Sequence, residues 1–306
     1  MKQDSLSVVI VAYNCWNYLD RCLRSVLAST SSAAEIIVVD NASIDGTAEK
    51  VRQEYPQVAL IANTENLGAI RGVNQGYRAA TGKRILLLDA DTELQRDAMA
   101  LLSEFLDEHP EVALVVPRTF NDDGTIQETA RRFPSVINGI FGRQSFLTKL
   151  FPANPFSRRY LLQEYRDSQA PFQVEMVSCA CLMLRRSVLE SAGFLDEGYG
   201  KTVGYWNDAD WCKRIQKSGG LLYCLPKAVV AHHEQNRPFR KRNPYRIIEF
   251  HTGAYRFYRL HYTRGQWDPR RVVAGLLLTA RALLLLALNA LKPAGGPSSD
   301  PMSQKK

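Results

Sequence analysis

Residues 85–91 read Ile-Leu-Leu-Leu-Asp-Ala-Asp, and this short segment decides the fold. Its apolar run has the composition of a parallel strand that is covered on both faces of its sheet. Two carboxylates, Asp89 and Asp91, follow where that strand ends. Carboxylates in this position can hold a hard divalent cation, and through it a diphosphate. We therefore expect an α/β protein with a ligand crevice at this edge of its sheet.

Strands and helices alternate over the first 117 residues. Apolar runs predict strands at 7–12, 35–40, 58–61, 84–88 and 112–116, and apolar periodicity predicts helices near 19–27, 70–80 and 97–106. Residues 41–47 form a turn-rich link into a further short helix. This alternation implies a doubly wound, largely parallel sheet, because each parallel strand needs a crossover connection. Tyr13 and Asp40 also follow predicted strands, so they should join Asp89 and Asp91 at the carboxyl edge.

These residues also have structural interpretations, which stay open. Asp40 could bond its own backbone in a turn, and Asp89 with Asp91 could form a turn or an N-cap ahead of the helix near Asp97. A dinucleotide-binding Rossmann site is excluded, since no glycine turn follows the first strand. Gly68, Gly72 and Gly76 lie in the third connection instead, which is the wrong place and spacing for a pyrophosphate loop.

A second acidic group, Asn207-Asp208-Ala209-Asp210, opens a predicted helix far along the chain. Asp208 could cap that helix or act as a general base, and one carboxylate can do both. Asp210 and Arg214 form an i,i+4 pair, which we interpret as structural. Between residues 118 and 174 the alternation fails. Residues 121–124 (Asn-Asp-Asp-Gly) predict a hairpin turn, and the rest is either an acceptor-binding lid or an irregular insertion.

Composition limits the class of protein. The 306 residues, 45% hydrophobic and 23% charged, can bury one large core or two modest ones. The six cysteines show neither disulfide nor zinc spacing, so we expect buried free thiols and a reducing compartment. No secretory signal is expected, because Met1–Asp4 leads directly into a strand-like run.

The net charge of +8 is concentrated before the last apolar segment, in Arg237, Arg240, Lys241, Arg242, Arg246, Arg256, Arg259, Arg264, Arg270 and Arg271. No nucleic-acid-binding motif accompanies them, so we expect no nucleic acid partner. A basic collar beside an apolar helix fits an anionic membrane surface, and a solvated basic face is the alternative.

The apolar segment 272–291 is long enough to span a bilayer, but Arg281 lies at its middle, at a cost of about 2.5–3.5 kcal/mol. Arg270, Arg281 and Lys292 fall near one helical face, which Leu285 and Leu288 interrupt. We expect a helix lying in the membrane interface, with a soluble packing helix as the alternative, and a disordered tail at 293–306.

Six ordered motifs lie between Ser7 and His233: SVVIVAYN (7–14), VVDNASIDGT (38–47), NLGAIRGVNQGYRAATG (66–82), LLLDADT (86–92), AGFLDEGY (192–199) and WNDADWCKRIQKSGG (206–220). Together they resemble the inverting family 2 glycosyltransferases of GT-A fold, and the chain beyond them resembles bacterial rhamnosyltransferase-like members. Asn207 stands where that family usually has Glu, Cys179 where glycine is common, and Glu234-Gln235-Asn236 replaces the usual glycine and serine after His232.

The resemblance implies a role for each matching position. Ala12, Tyr13 and Asp40 would line the nucleobase pocket, with Arg71 assisting. Asp89 would contact the ribose or the water shell of the metal. Asp91 would ligate Mg²⁺ or Mn²⁺ across the donor diphosphate, with His232 nearby and His233 as the neighbouring candidate. Asp208 would deprotonate the acceptor hydroxyl.

The resemblance also implies the activity. A sugar would pass from a nucleoside-diphosphate sugar to a glycan or lipid-linked acceptor, with inversion of the anomeric centre. The reaction would belong to bacterial surface polysaccharide or cell-wall synthesis. Rhamnose is the donor sugar that the resemblance suggests. The chain would divide into a nucleotide-sugar half (1–117), an acceptor and catalytic half (118–235) and a membrane-associating extension (236–292). The protein would work at the cytoplasmic face of the membrane. Two alternatives remain: a nucleotidyltransferase, for which no glycine- and lysine-rich loop is present, and a non-catalytic nucleotide-sugar-binding partner, which Asn207 favours.

Overall fold

The computed structural model describes residues 5–134, 150–151, 154–200, 203–233 and 243–291. The first half contains β1 (Leu6–Ala12), α1 (Trp16–Leu27), β2 (Glu35–Asp40), α2 (Thr47–Glu54), β3 (Ala59–Ala62), α3 (Ala69–Ala79), β4 (Arg84–Asp89), β5 (Thr92–Leu94), α4 (Ala98–Glu108) and β6 (Val112–Phe120). Each predicted strand and helix of this half is therefore present, to within a few residues at its ends.

The second half has shorter elements. They are β7 (Ile126–Gln127), β8 (Ala130–Arg131), α5 (Pro155–Tyr160), β9 (Phe172–Val174), β10 (Met176–Val177), β11 (Cys181–Arg185), α6 (Ser187–Ser191), α7 (Asn207–Lys217), β12 (Leu221–His232), α8 (Pro244–Tyr262) and α9 (Pro269–Ala290). The predicted hairpin turn is confirmed, since β6 and β7 pair antiparallel around Gly124. The predictions for residues 234–242, for Lys292 and for the tail 293–306 lie outside the described residues, as do 135–149 and 152–153 of the predicted lid.

One mixed sheet organises the chain, in the order β3-β2-β1-β4-β11-β6-β12-β5. Strands β1 to β4 are parallel, as the alternation predicted. Strand β11 lies between β4 and β6 and runs antiparallel to both, which the local sequence pattern did not indicate. The doubly wound, largely parallel sheet is confirmed, and β11 joins the two halves of the chain into it.

The core lies on both faces of this sheet. Successive strand residues point to opposite faces, so Val8 and Ile10 of β1 pack with α1 and α4, whereas Val9 packs with α3 and α7. Glycine lets α3 come close to β1: a Cβ built on Gly76 would lie 2.2 Å from Val9 Cγ1. Gly72 and Gly76 of the third connection therefore serve helix–sheet packing.

The cysteines are free thiols, as predicted. Cys22, Cys181, Cys212 and Cys224 are buried, Cys15 and Cys179 are partly buried, and none forms a disulfide.

Candidate active site

Two acidic residues and a histidine meet at the carboxyl edge of the sheet. Strand β4 ends at Asp89, and β12 ends at His232, which pairs with Thr92 of β5 just after Asp91. His232 Nε2 lies 3.1 Å from an Asp91 oxygen and 3.9 Å from an Asp89 oxygen. One ligand atom from each of the three residues lies within 4.8 Å of the others. This cluster can hold a divalent metal ion.

A glutamine determines how His232 presents its ring. The Nδ1 atom of His232 lies 2.8 Å from Gln127 Oε1, which can only accept a hydrogen bond. Nδ1 therefore carries the proton, and in the neutral ring the lone pair of Nε2 faces the two carboxylates. This is the tautomer that a metal-bound histidine needs, held by a partner outside the ligand set.

Asp91 keeps its charge in this environment. When His232 is protonated, its Nε2–H donates to Asp91 and its positive charge lies beside that carboxylate. These effects outweigh burial, which raises the pKa of Asp91, so the pKa lies below its ordinary value. The N-cap alternative for Asp89 and Asp91 is wrong, because β5 follows and α4 begins only after its cap residue, Asp97. Two carboxylates and one imidazole form a donor set that suits Mn²⁺ and also accommodates Mg²⁺.

Asp40 lies at the same edge of the sheet as this cluster, and one of its oxygens has no hydrogen-bond partner among the described residues. It pairs in register with Ala12 and is only 2% exposed. Its Oδ2 accepts a hydrogen bond from the Ser43 N–H at 3.1 Å, so the turn interpretation accounts for one oxygen. Its Oδ1 is buried and has no hydrogen-bond partner within the described part of the chain. A buried acceptor without a donor is costly, so Oδ1 is available for the N–H of a ligand.

Unusual backbone conformations border these positions. Asn14 (φ 49°) follows Tyr13 at the end of β1, and Ala42 (φ 65°) follows Asp40 at the end of β2. The Asn14 side chain joins the two turns, since its Oδ1 accepts the Ile44 N–H at 2.7 Å. Residues held at positive φ without being glycine concentrate at functional sites, where the surrounding structure maintains them.

Arg71 lies on the first turn of α3. Its Nε is 3.1 Å from Glu197 Oε2, and its side chain is about half exposed. Its suggested role beside the nucleobase stays a prediction, and so does that of Tyr13, which is partly exposed after β1.

Asp208 is the second residue of α7 and does not occupy the cap position. The cap is Trp206, at φ 75°, and its side chain makes no capping hydrogen bond. Asp208 Oδ1 accepts the N–H of Ala209 at 2.8 Å. Burial raises the pKa of Asp208, and the positive charge of Arg131 partly opposes this. A carboxylate with a raised pKa is a stronger base, which suits proton abstraction better than capping does.

Two thiols lie near the acidic residues of the candidate site. Burial raises the pKa of Cys179 well above its usual value, and the charges of Asp208 and Asp89 raise it further. Burial also raises the pKa of Cys15 to about 12, with contributions from Asp91 and Asp40. Each thiol is therefore within electrostatic reach of two of the candidate site residues.

Sequence reasoning missed Gln127 and Arg131. Gln127 is the buried residue of β7 beside the more exposed Ile126, so a polar residue at an inward position was the available signal. Arg131 belongs to a segment that was predicted only as loop-rich. Its position depends on the pairing of β8 with β10, which are far apart in sequence, so no local signal indicated it.

A family model described as "Glycosyl transferase family 2" matches residues 7–193. The chain is 30% identical over 242 residues to an N-acetylglucosaminyl-diphospho-decaprenol L-rhamnosyltransferase of Mycobacterium tuberculosis, which covers 76% of each protein. It is 31% identical over 150 residues to a chondroitin synthase of Pasteurella multocida, which covers 47% of this chain and 15% of that one.

Solved structures share the fold. A crystal structure of GalNAc-T7 with UDP, GalNAc and Mn²⁺ superposes with a TM-score of 0.61 at 18% identity, over 84% of this chain and 48% of that one. The structure of Staphylococcus aureus TarS superposes with a TM-score of 0.56 at 14% identity, over 91% of this chain and 43% of that one. The chain therefore spans a little under half the length of each of these two proteins.

Proposed function

Since the chain belongs to glycosyltransferase family 2 and has the GT-A fold, we propose that it transfers a sugar, with inversion, from a nucleoside-diphosphate sugar to a lipid-linked acceptor. The observation that carries this proposal is the cluster of Asp89, Asp91 and His232 at the sheet edge. The unused oxygen of Asp40 and the raised pKa of Asp208 support it.

The nucleotide half, residues 1–117, would bind the donor. Asp40 Oδ1 would accept the ring N–H of a uracil or thymine base beside Ala12 and Tyr13, with Arg71 assisting. Asp89, Asp91 and His232 would hold Mg²⁺ or Mn²⁺, which when bound neutralises charge on the departing diphosphate. Gln127 keeps the Nε2 lone pair of His232 directed at that position.

The acceptor half, residues 118–235, would supply the base. Asp208 would take the proton of the acceptor hydroxyl while the oxygen attacks the anomeric carbon. The bond from that carbon to the diphosphate breaks, and its electron pair leaves with the diphosphate. A single displacement inverts the anomeric centre, and a positioned base contributes typically ~10²–10⁴-fold.

The acceptor class follows from the mycobacterial relative, whose name specifies a sugar on a polyprenyl diphosphate and a rhamnosyl donor. We propose the same classes here: a polyprenyl-diphosphate-linked sugar as acceptor, and a 6-deoxyhexose nucleotide, with dTDP as the leading carrier. The reaction would take place at the cytoplasmic face of the membrane.

A thermal-shift screen with UDP, dTDP, GDP and CMP, each with Mn²⁺, Mg²⁺ or EDTA, tests donor binding. A ligand at ~100 times its Kd stabilises by about 2.7 kcal/mol, which is easily measured. We expect a shift with one nucleoside diphosphate that EDTA abolishes. No shift with any nucleotide would contradict the proposal.

Two matched variants test the metal site. Asp91→Asn should remove the metal-dependent part of the shift, because it removes a charged ligand. Asp97→Asn is the control, since Asp97 is exposed and lies six residues further along the same connection. Equal metal dependence in both variants would refute the assignment of Asp91. An Asp208→Asn variant that binds nucleotide but does not turn over would exclude a non-catalytic binding partner.

A further inference from the structure

Helix α9 is apolar on the side that faces away from the protein. Of the helices in the described residues, it is the one long and apolar enough to cross a membrane, with a mean hydropathy of 2.0 over a window that is only 6% buried. Its outward side chains form one stripe with no charge, and among them Leu276 is 68% exposed. The larger members of this outward face are Val272, Val273, Leu276, Leu277, Leu283, Leu284, Leu288 and Leu291.

Arg281, the charged residue in the middle of α9, points the other way, toward α8. Arg281 donates a hydrogen bond from Nη1 to His251 Nε2 at 2.8 Å and lies over the ring of Phe250 at 5.8 Å. His251 Nδ1 lies 2.7 Å from the Ile247 carbonyl, so it carries the ring proton and leaves Nε2 as an acceptor. Asn289 is buried. The arginine that argued against a membrane span is thus withdrawn from the outward face.

A surface helix of a water-soluble domain turns its apolar side toward the core, whereas α9 turns its apolar side outward. An apolar row as long as this 22-residue helix spans about 33 Å, well beyond the scattered apolar residues of an ordinary surface. Such a face requires a cover. Trp267, 89% exposed, and the exposed Arg264 lie just before α9, and Arg270, which is exposed and paired with Asp268, lies in its first turn. Tryptophan with arginine beside an apolar helix fits the headgroup layer of an anionic bilayer.

Helix α9 is joined to the rest of the domain through α8. It packs along α8, and α8 is tied to the domain by charged contacts. Arg256 of α8 pairs with Asp196 at 2.6 Å, and His261 pairs with Asp210 of α7 at 2.7 Å. A helix that carries these charges does not enter hydrocarbon, so α9 is held beside it at the surface.

We propose that the outward face of α9 docks onto an anionic lipid bilayer, with the helix lying parallel to the membrane plane. This inference rests on the proposed function, and it places Asp208, the proposed base, near the lipid surface. Phe250 contacts both Arg281 and Trp206, with the Trp206 ring at 5.6 Å, and Trp206 precedes Asp208 by two residues. The lipid surface is then one helix away from the acceptor end of the crevice.

Vesicle sedimentation of the full chain tests the proposal without any donor or acceptor. The probes are vesicles of phosphatidylcholine alone and of phosphatidylcholine mixed with phosphatidylglycerol. We expect binding that the anionic lipid strengthens. The double variant Leu277→Glu, Leu284→Glu should reduce partitioning by more than about 100-fold, because each buried leucine contributes a factor of about ten or more.

The control is Leu27→Glu, an exposed leucine at the end of α1, which should bind like the wild type. Equal binding of the double variant would overturn the proposal, as would binding that high salt alone abolishes. A soluble dimer that the double variant converts to a monomer, with no vesicle binding, would assign the face to a second copy instead. Vesicle-bound protein that resists an alkaline wash would overturn the parallel orientation. Nucleotide binding in the same variants separates these outcomes from failure of the proposed activity.

Discussion

The two aspartates in the first turn of α7 should respond oppositely to the same substitution. Burial raises the pKa of Asp208, so its ionised form costs folding free energy. Asp210, 2% exposed, has a lowered pKa, because hydrogen bonds from His261 and Arg214 outweigh its burial. Asp→Asn at either position keeps the shape and removes the charge. Comparing the two variants therefore distinguishes a catalytic base, whose charge lowers stability, from a structural carboxylate, whose charge raises it.

The expected magnitude follows from the contacts. Asp210 accepts hydrogen bonds from Arg214 at 2.8 Å, His261 at 2.7 Å and Tyr199 at 3.2 Å. Breaking a buried ion pair from one side costs about 3–5 kcal/mol, and asparagine keeps one acceptor oxygen, so we take the lower end. About 3 kcal/mol corresponds to a Tm roughly 5 °C lower for a chain of 306 residues. Asp208→Asn should leave the Tm unchanged or raise it.

The pH dependence checks the sign. The cost of ionised Asp208 is present above its raised folded pKa and vanishes below its unfolded pKa, so any gain in Tm from Asp208→Asn should disappear in acid. The stabilisation by Asp210 is present above its unfolded pKa and is lost as the pH falls through its lowered folded pKa. Differential scanning fluorimetry across the acid range measures both effects.

Turnover is followed in the same variants by release of nucleoside diphosphate. Asp208→Asn should lose ~10²–10⁴-fold in rate with nucleotide binding intact. A lower Tm for Asp208→Asn with activity retained would refute the assignment of the base and restore the capping interpretation.

Three further results are expected. Gln127→Leu should weaken divalent metal binding by ~10–100-fold in a calorimetric titration, since His232 loses the acceptor that fixes its tautomer. The control Gln95→Leu, at an exposed position, should bind the metal like the wild type. Arg131→Met should move the acid limb of the pH–rate profile to higher pH, because Arg131 lowers the pKa of Asp208, and Arg132→Met should leave that limb in place. Gly76→Ala should cost about 1–3 kcal/mol in denaturant unfolding, since its Cβ would meet Val9, while Gly265→Ala has open space and should be neutral.

The first half of the fold was predictable because its signals are local. An apolar run such as 85–88 and the helical periodicity around it each fall within a dozen residues, and the chirality of crossover connections then fixes the parallel order. Strand β11 was not predictable in this way. Its five residues carry no mark of where they pair, and their place between β4 and β6 depends on contacts with two distant segments.

The same distinction between local signals and distant contacts applies to the residues of the candidate site. Asp40, Asp89 and Asp91 each follow a strand, so their position in sequence placed them at one edge. His232 needed the family resemblance, because the pairing of β12 with β5 brings it across a long stretch of chain. Arg281 shows the limit most clearly. Its spacing from Arg270 suggested a polar stripe, but only the packing of α9 on α8 shows that its charge turns inward to His251.

Asn207 bears on how the proposed base obtains its pKa. Two carboxylates side by side raise one pKa by repulsion, and the usual Glu of the family would add that effect at this position. Here the pKa of Asp208 is raised by burial alone, with Arg131 opposing, and Asn207 contributes no charge. The buried Asn207 Oδ1 has no hydrogen-bond partner among the described residues, so this atom can accept from a ligand. The substitution thus exchanges a like charge for a neutral acceptor beside the base. We propose that this exchange leaves the role proposed for Asp208 unchanged and alters which acceptor hydroxyl or amide the crevice recognises.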